Sequence, residues 1–153
     1  MSQVYANCGA SAMAEPGAIF TGAKLMLHIG PDLVVLRRDR TPGIPWPGYL
    51  DFPGGGRENG ETPDACVLRE TYEEIGLRVP ADALRRVHLR EAADGKRHWF
   101  FAAHLPLFWG RDITLGDEGS ACMLMPPKRF IAAEDAIPHF RKILAAYRKD
   151  VGP

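Results

Sequence analysis

Cysteine is scarce in this chain of 153 residues, which holds only Cys8, Cys66 and Cys122. Three widely spaced thiols give neither a paired disulfide framework nor a zinc knuckle, so a disulfide-stapled scaffold and a zinc-ribbon fold are excluded. A reducing, cytoplasmic setting is the expectation. Net charge is missing too, with 19 basic against 19 acidic residues. Without a basic excess there is no broad electrostatic footprint, and no stable nucleic acid partner is expected. No apolar run approaches the roughly 18 residues that a membrane-spanning helix needs, so no membrane association is expected. Met1 to Ala14 contains no Lys or Arg and lacks the basic region of a secretory signal. Repeats and low-complexity tracts are absent as well. What is present is an ordinary globular composition, 46% apolar and 25% charged. The length suits one domain spanning 1–153, with residues 1–17 as a loose N-terminal arm or an added edge strand.

The informative stretch runs from Pro53 to Leu77. Glu70, Glu73 and Glu74 are spaced i, i+3 and i+4, which puts them on one face of a helix. Like charges so close repel, and a divalent cation held by hard oxygen ligands, Mg²⁺ or Mn²⁺, is the simplest reason to keep them together. The helix is delimited by local chemistry. Thr62 suits the N-cap, Pro63 the first helical position, Asp64 the positive end of the dipole and Gly76 a left-handed stop. Leu68, Thr71, Tyr72 and Ile75 fall opposite the glutamates and are expected to face a core. Arg69 flanks the acidic face and can fix a neighbouring carboxylate through its fork of donors. Ahead of the helix, Gly54-Gly55-Gly56 lets backbone groups approach a ligand closely. A merely solvated acidic face would account for Glu73 and Glu74. It would not account for the glycines, Glu61, Arg69 and Gly76 in register.

That register resembles the Nudix box, Gly-x5-Glu-x7-Arg-Glu-U-x-Glu-Glu-x-Gly-U, where U is a bulky apolar residue. Gly55, Glu61, Arg69, Glu70, Glu73, Glu74 and Gly76 occupy its fixed positions, Leu77 the final U and Thr71 the first. The resemblance implies an α+β protein with the Nudix fold, an α/β/α sandwich with a mixed β-sheet and a loop-helix-loop catalytic box. It implies metal-dependent hydrolysis of a nucleoside diphosphate linked to another moiety. Glu73 and Glu74 would be metal ligands with the Gly55 carbonyl. Glu70 would be a ligand or the general base, Arg69 would orient Glu70 or Glu73, and Glu61 would support from behind. Glu118, between Gly116 and Gly119, is the candidate for the further glutamate that family members recruit from a later loop. Metal on the phosphates would neutralise charge, orient the linkage and acidify a bound water, while a free carboxylate takes its proton.

The rest of the chain supplies a scaffold and substrate candidates. Strands are expected over 18–28, 33–37, 49–52, 84–91, 97–105 and 121–125, and a final helix over 137–150, where Phe140, Ile143, Leu144 and Tyr147 recur at helical spacing. Arg37 and Arg38 end the second strand and are candidates to meet phosphate; alternation sends them to opposite faces. Trp46 sits in a proline-rich loop and either caps a cleft or buries its ring. In His98-Trp99-Phe100-Phe101 one face enters a core, and the other, with His98 and Phe100, can stack on a base. His98 and His104 share a strand face without further ligands beside them, which argues against zinc. Downstream markers of the ADP-ribose, dinucleoside polyphosphate, NADH and coenzyme A subfamilies are absent. The remaining resemblance is to the compact MutT-like group acting on (d)NTPs, oxidised ones included. An ADP-ribose, nucleotide-sugar or dinucleoside polyphosphate hydrolase, and a non-catalytic nucleotide-sensing module, are the alternatives. Many family members pair as homodimers, and no sequence signal decides that point.

Overall fold

The computed structural model describes residues 19–114 and 121–152. The arm expected over 1–17 and the loop carrying Glu118 therefore lie outside the described residues. The sheet begins with a hairpin: β1 (Gly22–Ile29) turns at Gly30 and returns antiparallel as β2 (Asp32–Arg37). Two short strands follow, β3 (Leu50–Asp51) and β4 (Gly54–Gly56), then β5 (Arg85–Glu91), β6 (Arg97–Leu105) and β7 (Ala121–Met125). The path through the sheet is β3-β2-β1-β6-β5, with β4 added to the start of β1 and β7 to β2. β1 and β6 run parallel and every other pair is antiparallel, so the sheet is mixed.

Helices cover both faces. On one side α1 (Pro63–Ile75) packs Cys66, Val67, Thr71 and Ile75 onto Leu25, Leu27, Trp99 and Phe101. On the other, α2 (Pro127–Ala132) and α3 (Pro138–Val151) enclose Met26, Phe52, Phe100, Phe130, Phe140 and Leu144. Alternation along β6 explains the division: Trp99 and Phe101 enter the α1 core, Phe100 and Ala102 the α3 core. The two cores and the mixed sheet between them are the sandwich expected from the sequence.

α1 is delimited as its capping residues predict. Thr62 Oγ1 accepts from the Ala65 amide at 3.2 Å, and the chain stops at Gly76, in the left-handed region at φ 68°. Arg86 on β5 donates twice to Asp64, at 2.7 and 3.1 Å, tying the first turn to the sheet. One expectation for this helix fails. Tyr72 does not face the core; it is exposed, with the Arg78 guanidinium 4.1 Å from its ring centre. Cys66 and Val67, earlier in the helix, take buried positions instead. Four elements escaped the sequence reading: β4, α2 and helical turns over Ala81–Ala83 and Leu107–Asp112.

Candidate active site

β4 and α1 bring the glycine run against the acidic face. Gly54 sits at φ 132°, and a Cβ there would meet the Ala23 carbonyl and lie 2.7 Å from Lys24 Cα. Only glycine allows β4 to lie this close to β1. At the next position a side chain would run into the Glu70 carboxylate, 2.6 Å from where its Cβ would be. The glycines thus press the backbone onto both β1 and the glutamates.

Arg69 organises the acidic face. Its Nε and Nη2 fork donates to Glu61 at 2.7 and 3.1 Å, and Nη2 also reaches the Gly56 carbonyl at 2.8 Å. Nη1 donates to Glu70 and Glu73 at 3.1 Å each. Glu61 in turn accepts from the Glu58 amide at 2.8 Å. The Arg69 bond holds the Glu61 carboxyl below its ordinary value. Glu74 is set apart from this clamp, its Oε1 accepting from the Gly54 amide at 2.6 Å. Burial pushes its carboxyl up to about 7, against the pull of Lys24 and the Gly54 amide. Burial also raises Glu70, against the pull of Arg69.

Two desolvated carboxylates short of positive charge, on a hard-oxygen face, fit a divalent cation such as Mg²⁺ or Mn²⁺. Among the described residues no three donors already converge as a metal cluster. Glu70 and Glu73 are held by Arg69, and Glu74 by the glycine loop. The Gly55 carbonyl, the expected backbone ligand, faces β1: Cys66 Sγ lies 3.7 Å from it, and a Cβ on Gly22 would lie 2.5 Å away. The Gly54 carbonyl accepts from Lys24 Nζ at 3.2 Å, and the same ammonium pulls on the Glu70 and Glu74 carboxylates.

Lys24 links this acidic face to a cleft on the α3 side of the sheet. Its ammonium also donates to Asp51 Oδ2 at 3.1 Å and to the Phe52 carbonyl at 3.3 Å. Asp51 is buried, accepts from Arg38 Nη1 at 3.0 Å and takes the Phe52 amide on its other oxygen at 2.7 Å. The cleft has a volume of about 430 Å³ and is lined by Lys24, Arg38, Arg90 and Lys96, with Asp94 the acidic lining residue. Phe100, Phe140, His98, His139 and Trp46 supply its aromatic surface. Trp46 adopts φ 53° and meets Tyr49 edge-on with ring centres 5.1 Å apart. Burial holds the His98 imidazole below its ordinary value and lowers His139 to about 4.

Four of the five substrate candidates, Arg38, Trp46, His98 and Phe100, therefore line one cleft. Arg37 does not; it points away to the Gly48 carbonyl at 2.8 Å and Asp135 at 3.0 Å. Alternation made the two arginines diverge, and the sheet decides which one faces the cleft. Lys24, Asp51 and His139 were missed. The one lysine in β1, a strand otherwise apolar but for His28, was the signal available for Lys24; Asp51 and His139 carry no local signature.

Fold and site together define an α/β/α sandwich with an arginine-clamped acidic helix opening beside a cationic, aromatic cleft. The chain belongs to the NUDIX domain family, whose model matches residues 22–147. It is 36% identical to an 8-oxo-dGTP diphosphatase of Proteus vulgaris over 67 residues, 44% of this chain and 58% of that protein. It is 30% identical to a prenyl-diphosphate phosphatase of Methanosarcina mazei over 81 residues, 52% of this chain and 48% of that protein. The chain thus spans about half the length of these curated relatives. The NUDIX domain of Shewanella oneidensis NrtR, solved with ADP ribose, superposes with a TM-score of 0.70 at 15% identity, over 92% of this chain and 96% of that one. At that identity the likeness is one of fold.

Proposed function

We propose that this chain is a divalent-metal-dependent pyrophosphohydrolase that cleaves the diphosphate linkage of a nucleotide, with (d)NTPs and their oxidised forms as the preferred class. The observation that carries this reading is the junction at Lys24. On one side stand Glu70 and Glu74, half-buried and raised by desolvation against the pull of Arg69 and Lys24; on the other lies a cleft with four cationic residues over an aromatic floor. A base stacked on the aromatic side chains would extend its phosphates past Lys24 towards the glutamates. Glu70, Glu73 and Glu74, with the Gly54 carbonyl in place of Gly55, would hold Mg²⁺ or Mn²⁺. The bound metal supplies charge neutralisation and acidifies a water. Arg69 keeps Glu70 and Glu73 in fixed rotamers, and Glu61 anchors Arg69. Glu70 uses Oε1 for Arg69, which leaves Oε2 for a cation or for a proton from water. Glu118, outside the described residues, is the candidate for a further carboxylate. The homology to an 8-oxo-dGTP diphosphatase supports the substrate class.

A second reading has its own support. Arg90 and Lys96 line the cleft with His98 and give it charge to hold a second polar moiety, as in ADP-ribose, a nucleotide sugar or a dinucleoside polyphosphate. A purely sensing module is disfavoured by the complete carboxylate set. The test is a side-by-side panel of these substrates and oxidised dGTP with Mg²⁺ or Mn²⁺. Glu73→Gln and Glu74→Gln should each reduce turnover by about 100-fold or more while the folded spectrum persists. Undiminished turnover in both variants would remove the metal-site assignment.

A further inference from the structure

A second cavity, about 400 Å³, lies on the α3 side of the sheet at the opposite end of β1. His28 marks it, about 13 Å along the strand from Lys24 by strand rise. Among the described residues its polar lining is His28, Arg85, His104, Tyr147 and Arg148, with no carboxylate. The side chains come from four elements: β1, the start of β5, the end of β6 and the last turns of α3. Arg85 is hydrogen-bonded to the Tyr147 hydroxyl.

His28 is 3% exposed and stacks on His104 with ring centres 4.1 Å apart. Its Nδ1 lies 3.1 Å from the Met26 carbonyl, a group that only accepts, so the proton sits on Nδ1. Nε2 is then a buried lone pair, and it has no partner. His104 Nε2 is 2.6 Å from Tyr147 Oη. Burial, with His104 and Arg148 nearby, lowers the His28 imidazole to about 4, so it is neutral at physiological pH. Among the described residues the cavity lacks two things at once: a lining carboxylate to face Arg85 and Arg148, and a donor for His28.

We propose that this cavity is a second, non-catalytic binding site for a phosphate group, either inorganic phosphate or a phosphomonoester. A phosphate near its second ionisation supplies both missing elements, anionic oxygens for the two guanidinium groups and a P–OH for Nε2 of His28. Sulfate, fully ionised, supplies only the charge. A carboxylate likewise brings no donor at neutral pH. The small side chains of Ala83 and Ala102 leave room for the organic part of a monoester.

The experiment uses the full chain in EDTA, so that the acidic helix cannot recruit phosphate through metal and the result is independent of the hydrolase assignment. Imidazole resonances of His28 and His104 are followed by NMR during titration with inorganic phosphate, a nucleoside monophosphate and sulfate. Both resonances should shift saturably with phosphate or the monophosphate, and sulfate should bind about tenfold more weakly. The tighter of the two phosphate ligands identifies the source. Arg148→Ala, at an exposed helix end, should lose about tenfold in affinity, and Arg85→Ala with Arg148→Ala more, with the backbone spectrum otherwise retained. Shifts absent up to roughly 10 mM phosphate, equal binding of sulfate, or undiminished affinity in Arg148→Ala would overturn the proposal.

Discussion

Arg69 directs its guanidinium at three carboxylates and one carbonyl, all within 3.1 Å. A lysine keeps the charge but cannot serve Glu61 through two parallel bonds while also holding Glu70 and Glu73. Arg69→Lys should therefore weaken Mn²⁺ binding roughly 10- to 100-fold with little loss of fold. Metal titration monitored by calorimetry reads this directly, and unchanged affinity would show that Arg69 does not organise the metal face. Asp51 is a second residue whose role depends on its surroundings. It is buried and answers two cations, Lys24 and Arg38, with one oxygen. Asp51→Asn keeps the shape but leaves both cations facing a neutral amide. We expect a loss of about 3 kcal/mol in urea unfolding. A loss near zero would mean that solvent already screens the cluster.

At the scale of elements, β4 depends on having no side chain where it crosses β1. Gly54→Ala sets a Cβ against Ala23 and Lys24 backbone and should cost about 3 kcal/mol. Gly56→Ala, two residues on in the same strand, meets nothing within 4 Å and should be close to neutral. Thermal unfolding of the two variants side by side checks the contrast; equal losses would show that β4 is not seated on β1 as described. The same strand shows why legibility was uneven. α1 was readable to the residue because Thr62, Pro63 and Gly76 act through local backbone chemistry. β4 was not, since three glycines have no alternation to read. α2 is only six residues long and opens on prolines, which read as loop. Tyr72 was misplaced because helical period alone cannot separate a core-facing ring from one at the rim beside Arg78. The glutamates and Arg69 were picked out by their spacing, Arg38, His98 and Phe100 by strand position and alternation, and Trp46 by its place in the proline-rich loop. Lys24 and Asp51 are 27 residues apart, and only sheet register brings them together.

Across the whole molecule, burial sets titratable groups against each other. The His28 imidazole is held at about 4 when folded and returns to about 6.5 when the chain unfolds. Between those values the unfolded chain binds the extra proton, so this group makes stability rise with pH across the window of about 4 to 6.5. Glu74 acts in the opposite sense. Its folded carboxyl, raised to about 7 from 4.5, binds a proton that the unfolded chain releases, so it makes stability fall as pH rises through that window. His139, also lowered to about 4, adds to the first contribution and Glu70 to the second, so the net slope of the free protein sums opposing groups and a variant is needed to isolate His28. In His28→Gln the contribution of that imidazole disappears while Glu74 and His139 keep theirs. The wild type should gain on His28→Gln by about 3 kcal/mol between pH 4 and pH 6.5, before solvent relaxation reduces it. Urea unfolding of both proteins at several pH values measures the difference curve. A flat difference curve would mean that water or a ligand already reaches the Nε2 lone pair of His28, and the buried imidazole would not titrate as its surroundings dictate.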